Sequence, residues 1–176
     1  FNERYFETTA ALILMFQFLE RSIPKQPWYA GGYRANIIYY TIAQFRRLIY
    51  KQFPGSDLDL IFIWNRQGVS EQVETSLIAL AELVLLCITD TSRKGANVTQ
   101  WCKRNECWEE VKKIQLQLPD SLESCLITVD EQKSAQRTAK KEQKVVNEIY
   151  AQTEVVNYPV DMWKRLAEFA VTNHVV

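Results

Sequence analysis

The stretch Gln26-Pro27-Trp28-Tyr29-Ala30-Gly31-Gly32-Tyr33-Arg34-Ala35-Asn36-Ile37-Ile38 lies between two helical patterns and has no period of its own. Gly31 and Gly32 break the chain there, supplying positive φ or room for close backbone approach, and so separate two helices instead of continuing one. Before the glycines, Phe6, Ala10, Ile13, Phe16 and Leu19 recur at helical spacings from Asn2 to about Arg21, a first helix ended by Ser22-Ile23-Pro24. After them, Ile38, Ile42, Phe45, Leu48 and Ile49 keep the same period until Phe53-Pro54-Gly55 stops it. Helix, glycine corner, helix is the unit from which the fold is read outward.

Ser56, with Asp59 three residues on, predicts an acidic capping box opening a short helix through Ile61 and Trp64, closed at Gly68. Ser70 is the expected N-cap of a helix to about Thr89, with Val73, Leu77, Leu80, Ala81, Val84 and Ile88 on one face and Leu85 and Cys87 widening it. So much apolar surface predicts a central helix. Asn97 caps the next helix, which carries Trp101 and Trp108, roughly 20° apart on the wheel, and closes at Leu118-Pro119. Asp120 and Glu123 form another capping pattern. After an interruption at 128–130, a long helix is expected over 131–156, and Pro159 opens the last, with Met162, Trp163, Leu166, Phe169 and Ala170 inward. Two-residue alternation never persists between turn signals and no repeat period appears. The expectation is an all-α fold, an irregular bundle of seven to eight helices in one domain over 1–176.

Composition fits this reading. At 176 residues the chain can bury roughly two thirds of its unfolded surface. Hydrophobic residues make up 47% and charged residues 24%, which excludes disorder and collagen-like repeats. Lys and Arg balance Asp and Glu at 21 each, so no global field draws the chain to nucleic acid or anionic lipid, and a charge-driven partner has to find a local patch. Cys87, Cys102, Cys107 and Cys125 show no framework spacing and predict reduced thiols in a cytoplasmic protein. The longest apolar runs, 10–19 and 80–88, are short for a bilayer, and no signal peptide is visible, so no membrane partner is expected. Phe1 stands where an initiator Met would, and the chain is expected to be a piece of a longer protein.

The strongest local charge feature is on the 131–156 helix. Lys133, Arg137, Lys140 and Lys144 fall within about 60° of one another on the wheel, with Lys141 beside them and Ala135, Ala139, Val146, Ile149 and Tyr150 opposite. Two readings are open: a stripe that contacts the phosphates of DNA or RNA, or a solvated helix face. Trp28, Tyr29, Tyr33 and Arg34 likewise read either as a platform for stacking an unpaired base or as the packed corner where the loop meets the second helix. Cys102 and Cys107 are five apart, unlike the spacers of zinc pairs, and the single histidine, His174, is near the end, so no metal site is expected. Asp57 and Asp59 could belong to a carboxylate cluster for Mg²⁺, but read more simply as first-turn acids of a helix. With no phosphate loop and no nucleophile, base and acid set, neither a cofactor nor catalysis within this chain is expected.

Several strings, taken in order, resemble a known family. These are Trp28-Tyr29 before Gly31-Gly32-Tyr33-Arg34-Ala35-Asn36-Ile37, then Tyr40-Thr41-Ile42-Ala43, then Asp57-Leu58-Asp59 leading to Ile63-Trp64-Asn65-Arg66-Gln67. Asn97-Val98-Thr99-Gln100-Trp101-Cys102-Lys103, Cys107-Trp108 and the closing Met162-Trp163-Lys164-Arg165-Leu166 to Val176 complete the set. Together they resemble the C-terminal part of AIPR proteins, the abortive infection phage resistance family. The resemblance implies a bacterial, cytoplasmic defence protein whose nuclease-like N-terminal region lies outside this chain. It carries no catalytic residue onto these positions. The expected role is a non-catalytic recognition or regulatory module whose partners are that nuclease-like region and DNA or RNA. A purely structural module, pairing with a copy of itself or docking the nuclease-like region, is the other role weighed.

Overall fold

A computed structural model describes residues 3–90, 97–157 and 159–172. The first helix forms as α1 (Glu3–Ser22), but its buried row is Ala11, Met15 and Leu19 at i, i+4 and i+8, so of the expected stripe only Leu19 is fully buried while Phe6 and Ile13 are 49% and 52% exposed. A 3-10 turn over Ile23–Lys25 follows, with Pro24 ending the helix and Ile23 buried. At the glycine corner Gly31, Gly32 and Tyr33 all have positive φ, of 111°, 83° and 53°. Three consecutive residues in that region reverse the chain, and only the third bears a side chain. It then enters α2 (Arg34–Gln52), which buries Ile37, Ile38, Phe45, Leu48 and Ile49 together with Thr41 and Gln44.

The next segment departs from the expected capping box. Ser56 does not open a helix; it begins a strand, β1 (Ser56–Leu58), which pairs antiparallel with β2 (Leu126–Thr128) in the register Ser56 to Thr128 and Leu58 to Leu126. Asp57 is therefore a strand residue, gripped at both carboxylate oxygens by the Arg46 guanidinium, and not a first-turn acid. Asp59 is itself the N-cap of α3 (Leu60–Arg66), its Oδ1 accepting from the Phe62 N–H at 2.9 Å. Gln67 in the left-handed region and the Gly68 N–H on the Ile63 carbonyl close that helix.

Ser70 precedes α4 (Glu71–Thr89), whose buried Val73, Leu77, Leu80, Ala81, Val84 and Ile88 match the expected face. α4 packs against α1 and α2 and against the later elements, which makes it the central helix of this part of the chain. It is 19 residues long, and a window of 18 of them has a mean hydropathy of 1.7, which reaches that of a membrane span, although only 39% of that window is buried within the chain. The expectation of one helix through both tryptophans is corrected. α5 (Val98–Trp101), capped by Asn97, ends in tight bonds from Lys103 N–H to Gln100 O and Arg104 N–H to Trp101 O. α6 (Asn105–Val111) then starts afresh, so Trp101 and Trp108 occupy different helices.

A segment without regular structure over 114–119 leads to a 3-10 turn, Asp120–Cys125, then to β2, α7 (Val129–Asn157) and α8 (Val160–Thr172). Among the described residues the chain is thus all-α, with eight α-helices and one two-stranded ribbon, and α1 to α6 pack as an irregular bundle. Contacts divide it into two units, Phe1–Gln132 and Lys133–Val176. In the second unit the expected inward stripe of α8 is not buried: Met162, Leu166 and Phe169 are 45%, 52% and 63% exposed, and among the described side chains of the stripe only Ala170 is half-buried. The side chain of Trp163 lies outside the described residues. An amphipathic period fixes a helix and its apolar face but does not supply what covers that face.

Candidate nucleic-acid interface

α7 starts at a reciprocal cap. The Glu131 carboxylate accepts from the Thr128 N–H at 2.9 Å and the Thr128 hydroxyl at 2.7 Å, while the Glu131 N–H donates back to the Thr128 Oγ1 at 3.2 Å. Those bonds, the one from the Thr128 side chain first, hold the Glu131 carboxyl below its ordinary range. The capping box is thus at Thr128 and Glu131, where the sequence reading expected an interruption.

From there Lys133, Arg137, Lys140 and Lys144 follow at steps of four, three and four residues, all exposed, as is Lys141. At about 1.5 Å per residue the line is about 16 Å long. Lys144 Nζ lies 3.8 Å from Glu148 Oε1, a loose contact between two exposed groups. Among the described residues Lys133, Arg137, Lys140 and Lys141 make no ion pair. Around the rest of the helix Val145, Val146, Ile149 and Tyr150 are each more than half exposed. Chemically this is a row of exposed, extensible cations able to meet successive anionic groups.

The glycine corner is built differently. The Trp28 and Tyr29 rings meet edge to face, with centroids 6.3 Å apart and planes at 86°, and both are half-buried against the core. The Tyr29 hydroxyl donates to the Gly32 carbonyl at 3.1 Å. Tyr33 is 39% exposed, and Arg34 Nη2 is 3.9 Å from Glu20 Oε1. The corner thus offers water one ring and one guanidinium, while its other two rings are part of the wall.

Tyr40, Trp108 and the cysteines near them form a cluster that the sequence reading missed. The Tyr40 hydroxyl donates to the Cys102 carbonyl at 2.7 Å, and its ring stacks on Trp108 with 6.1 Å between centroids and 11° between planes. Burial first, then the Cys107 thiol, pushes the Tyr40 phenol well above its ordinary range. No signal in the sequence pairs residues this far apart. Among the described residues no group of three or more His, Cys, Asp or Glu could hold a metal ion. Asp57 and Asp59 are held by Arg46 and by the start of α3.

The family model for AIPR proteins matches residues 1–92, more than half of the 176 residues, and the chain belongs to that family. Membership associates it with abortive infection and phage defence. The match takes in α1 to α4 and the strings at 28–43 and 57–67, while the strings at 97–108 and 162–176 lie beyond it. No curated protein and no solved structure matches the chain.

Proposed function

We propose that this AIPR protein chain is a non-catalytic recognition module that holds DNA or RNA for a nuclease-like region of the same bacterial, cytoplasmic protein. The observation carrying this reading is the line Lys133, Arg137, Lys140 and Lys144 on α7, exposed and nearly free of internal ion pairs. Cations left uncompensated on a rigid helix release counterions when they meet phosphates, and that release is the main source of sequence-independent affinity. Lys141 extends the line, and Tyr33 with Arg34 is a second, smaller contact available to an unpaired base. The test is binding of labelled single- and double-stranded DNA and RNA across a salt series, with Lys133→Glu, Arg137→Glu and Lys140→Glu combined. The expected result is salt-sensitive binding that the triple variant loses. Absence of binding at low salt would overturn the reading.

A second reading is favoured by one observation, the exposure of Met162, Leu166 and Phe169 on α8. There the second unit docks the nuclease-like region through that apolar face, and nucleic acid plays no part. Loss of co-purification of the two regions on Leu166→Lys, with nucleic-acid affinity absent throughout, would establish it.

A further inference from the structure

Between α6 and the 3-10 turn, residues 114–118 run beside α2 as a strap. The Ile114 carbonyl accepts from Gln44 Nε2 at 3.0 Å, the Leu116 carbonyl from Gln52 Nε2 at 2.7 Å, and the Leu118 N–H donates to Gln52 Oε1 at 2.9 Å. Gln44 and Gln52 are eight residues apart on α2, about 12 Å, which is about the reach of four extended residues. Burial alternates as in a strand: Ile114 and Leu116 are half-buried and Leu118 is buried, while Lys113, Gln115 and Gln117 are exposed. Glutamine side chains of a helix thus do for one edge of this strap what a neighbouring strand does in a sheet.

In an extended chain the N–H and C=O of one residue point to the same side, and those of the next point to the other. The Ile114 and Leu116 carbonyls and the Leu118 N–H turn toward α2, while the Ile114 N–H closes the turn onto the Val111 carbonyl, so the backbone groups of Gln115 and Gln117 turn away. Among the described residues those backbone groups take no hydrogen bond. Two residues on one side of an extended segment, with four polar groups facing water, make an open strand edge.

We propose that this edge pairs with the same edge of a second copy of the chain, the two straps forming an antiparallel ribbon centred on Leu116. The sequence Ile114-Gln115-Leu116-Gln117-Leu118 carries the choice of occupant, because its pattern of apolar, Gln, apolar, Gln, apolar reads the same in both directions. A two-fold axis at Leu116 sets Gln115 against Gln117 of the partner subunit twice, in hydrogen-bonded pairs that use all four open groups of each strap. Ile114 meets Leu118 of the partner subunit, so each cross-strand pair matches in polarity. Between 114 and 118 there is no charge to repel its copy, and Lys113 falls opposite Pro119 of the partner subunit. The contact is short, so the dimer forms in proportion to concentration and exchanges rapidly. It does not depend on the nucleic-acid reading.

The test is sedimentation velocity of the whole chain over a hundredfold concentration range, with two double variants on exposed positions. Gln115→Glu with Gln117→Lys places opposite charges across the axis twice and is expected to tighten the dimer severalfold. Gln115→Glu with Gln117→Glu places like charges there and is expected to weaken it by a similar factor. A chain monomeric throughout, a dimer indifferent to both variants, or an edge that binds a foreign β-strand peptide without self-association would each overturn the proposal.

Discussion

At the residue scale, two side chains decide local structure through bonds that composition conceals. Asp59 caps α3 directly, so Asp59→Ala is expected to cost about 1 kcal/mol in urea unfolding, whereas Ser56→Ala, in a strand, stays within about 0.5 kcal/mol. Equal effects at the two positions would contradict the assignment. Tyr40 ties α2 to the end of α5, and Tyr40→Phe removes its bond to the Cys102 carbonyl, an expected loss of about 1 kcal/mol. Its raised phenol also has a pH signature. Below the ordinary value of 10.0 the ring is neutral whether the chain is folded or not, and folding carries no proton cost. Above it the unfolded chain ionises and the folded one does not, so stability falls as pH rises past that point. The difference between the native chain and Tyr40→Phe isolates the contribution of the phenol. Unfolding midpoints of both chains, followed from neutral to alkaline pH, should converge as pH rises.

At the element scale, α1, α2 and α4 were legible because each carries an apolar stripe several turns long between strong stop signals, Pro24, Gly31 to Gly32 and Pro54 among them. The ribbon was not, since Ser56 to Leu58 and Leu126 to Thr128 are strands of three residues that meet only through the tertiary fold. The split between α5 and α6 was hidden for a related reason. Trp101 and Trp108 share a phase on the wheel, yet phase alone does not show that the chain turns at Cys102 to Arg104 between them. The strap is held by side chains of α2, and Gln52→Ala strips two of its bonds at once. A loss of about 1–3 kcal/mol is expected, with faster hydrogen exchange at the Leu118 amide as the specific readout. At the start of α7 the Glu131 carboxyl is held low by Thr128, so the cap is intact above the ordinary carboxyl value of 4.5 and is lost as pH falls through the lowered one. Amide signals of residues 129–132 should therefore fray in acid, and Thr128→Ala should show the same fraying at neutral pH.

At the scale of the whole molecule, the chain is neutral overall and yet carries its cations unevenly. Formal charges sum to zero over 176 residues, while five Lys and Arg stand within the twelve residues 133–144 of one exposed helix. The stripe itself was legible, because helical geometry alone puts Lys133, Arg137, Lys140 and Lys144 in line. That Trp28 and Tyr29 pack into the corner was one of the two readings open to the sequence; their edge-to-face geometry was not legible, since it depends on where the Gly31 and Gly32 corner directs the chain. The fate of α8 was equally out of reach, because burial depends on a neighbour and sequence periodicity names none.

On the proposed function it is this line of cations, and not charge in general, that meets nucleic-acid phosphates. The direct measurement is the slope of log affinity against log salt for duplex DNA, compared between two variants of equal net charge. One reverses Lys133, Arg137 and Lys140 to Glu; the other reverses Lys25, Lys103 and Arg104, exposed cations of the first unit. The expected result is a slope shallower by roughly 0.9 for each lost phosphate contact in the first variant alone. Equal slopes in both variants, or a native chain that does not bind, would contradict it.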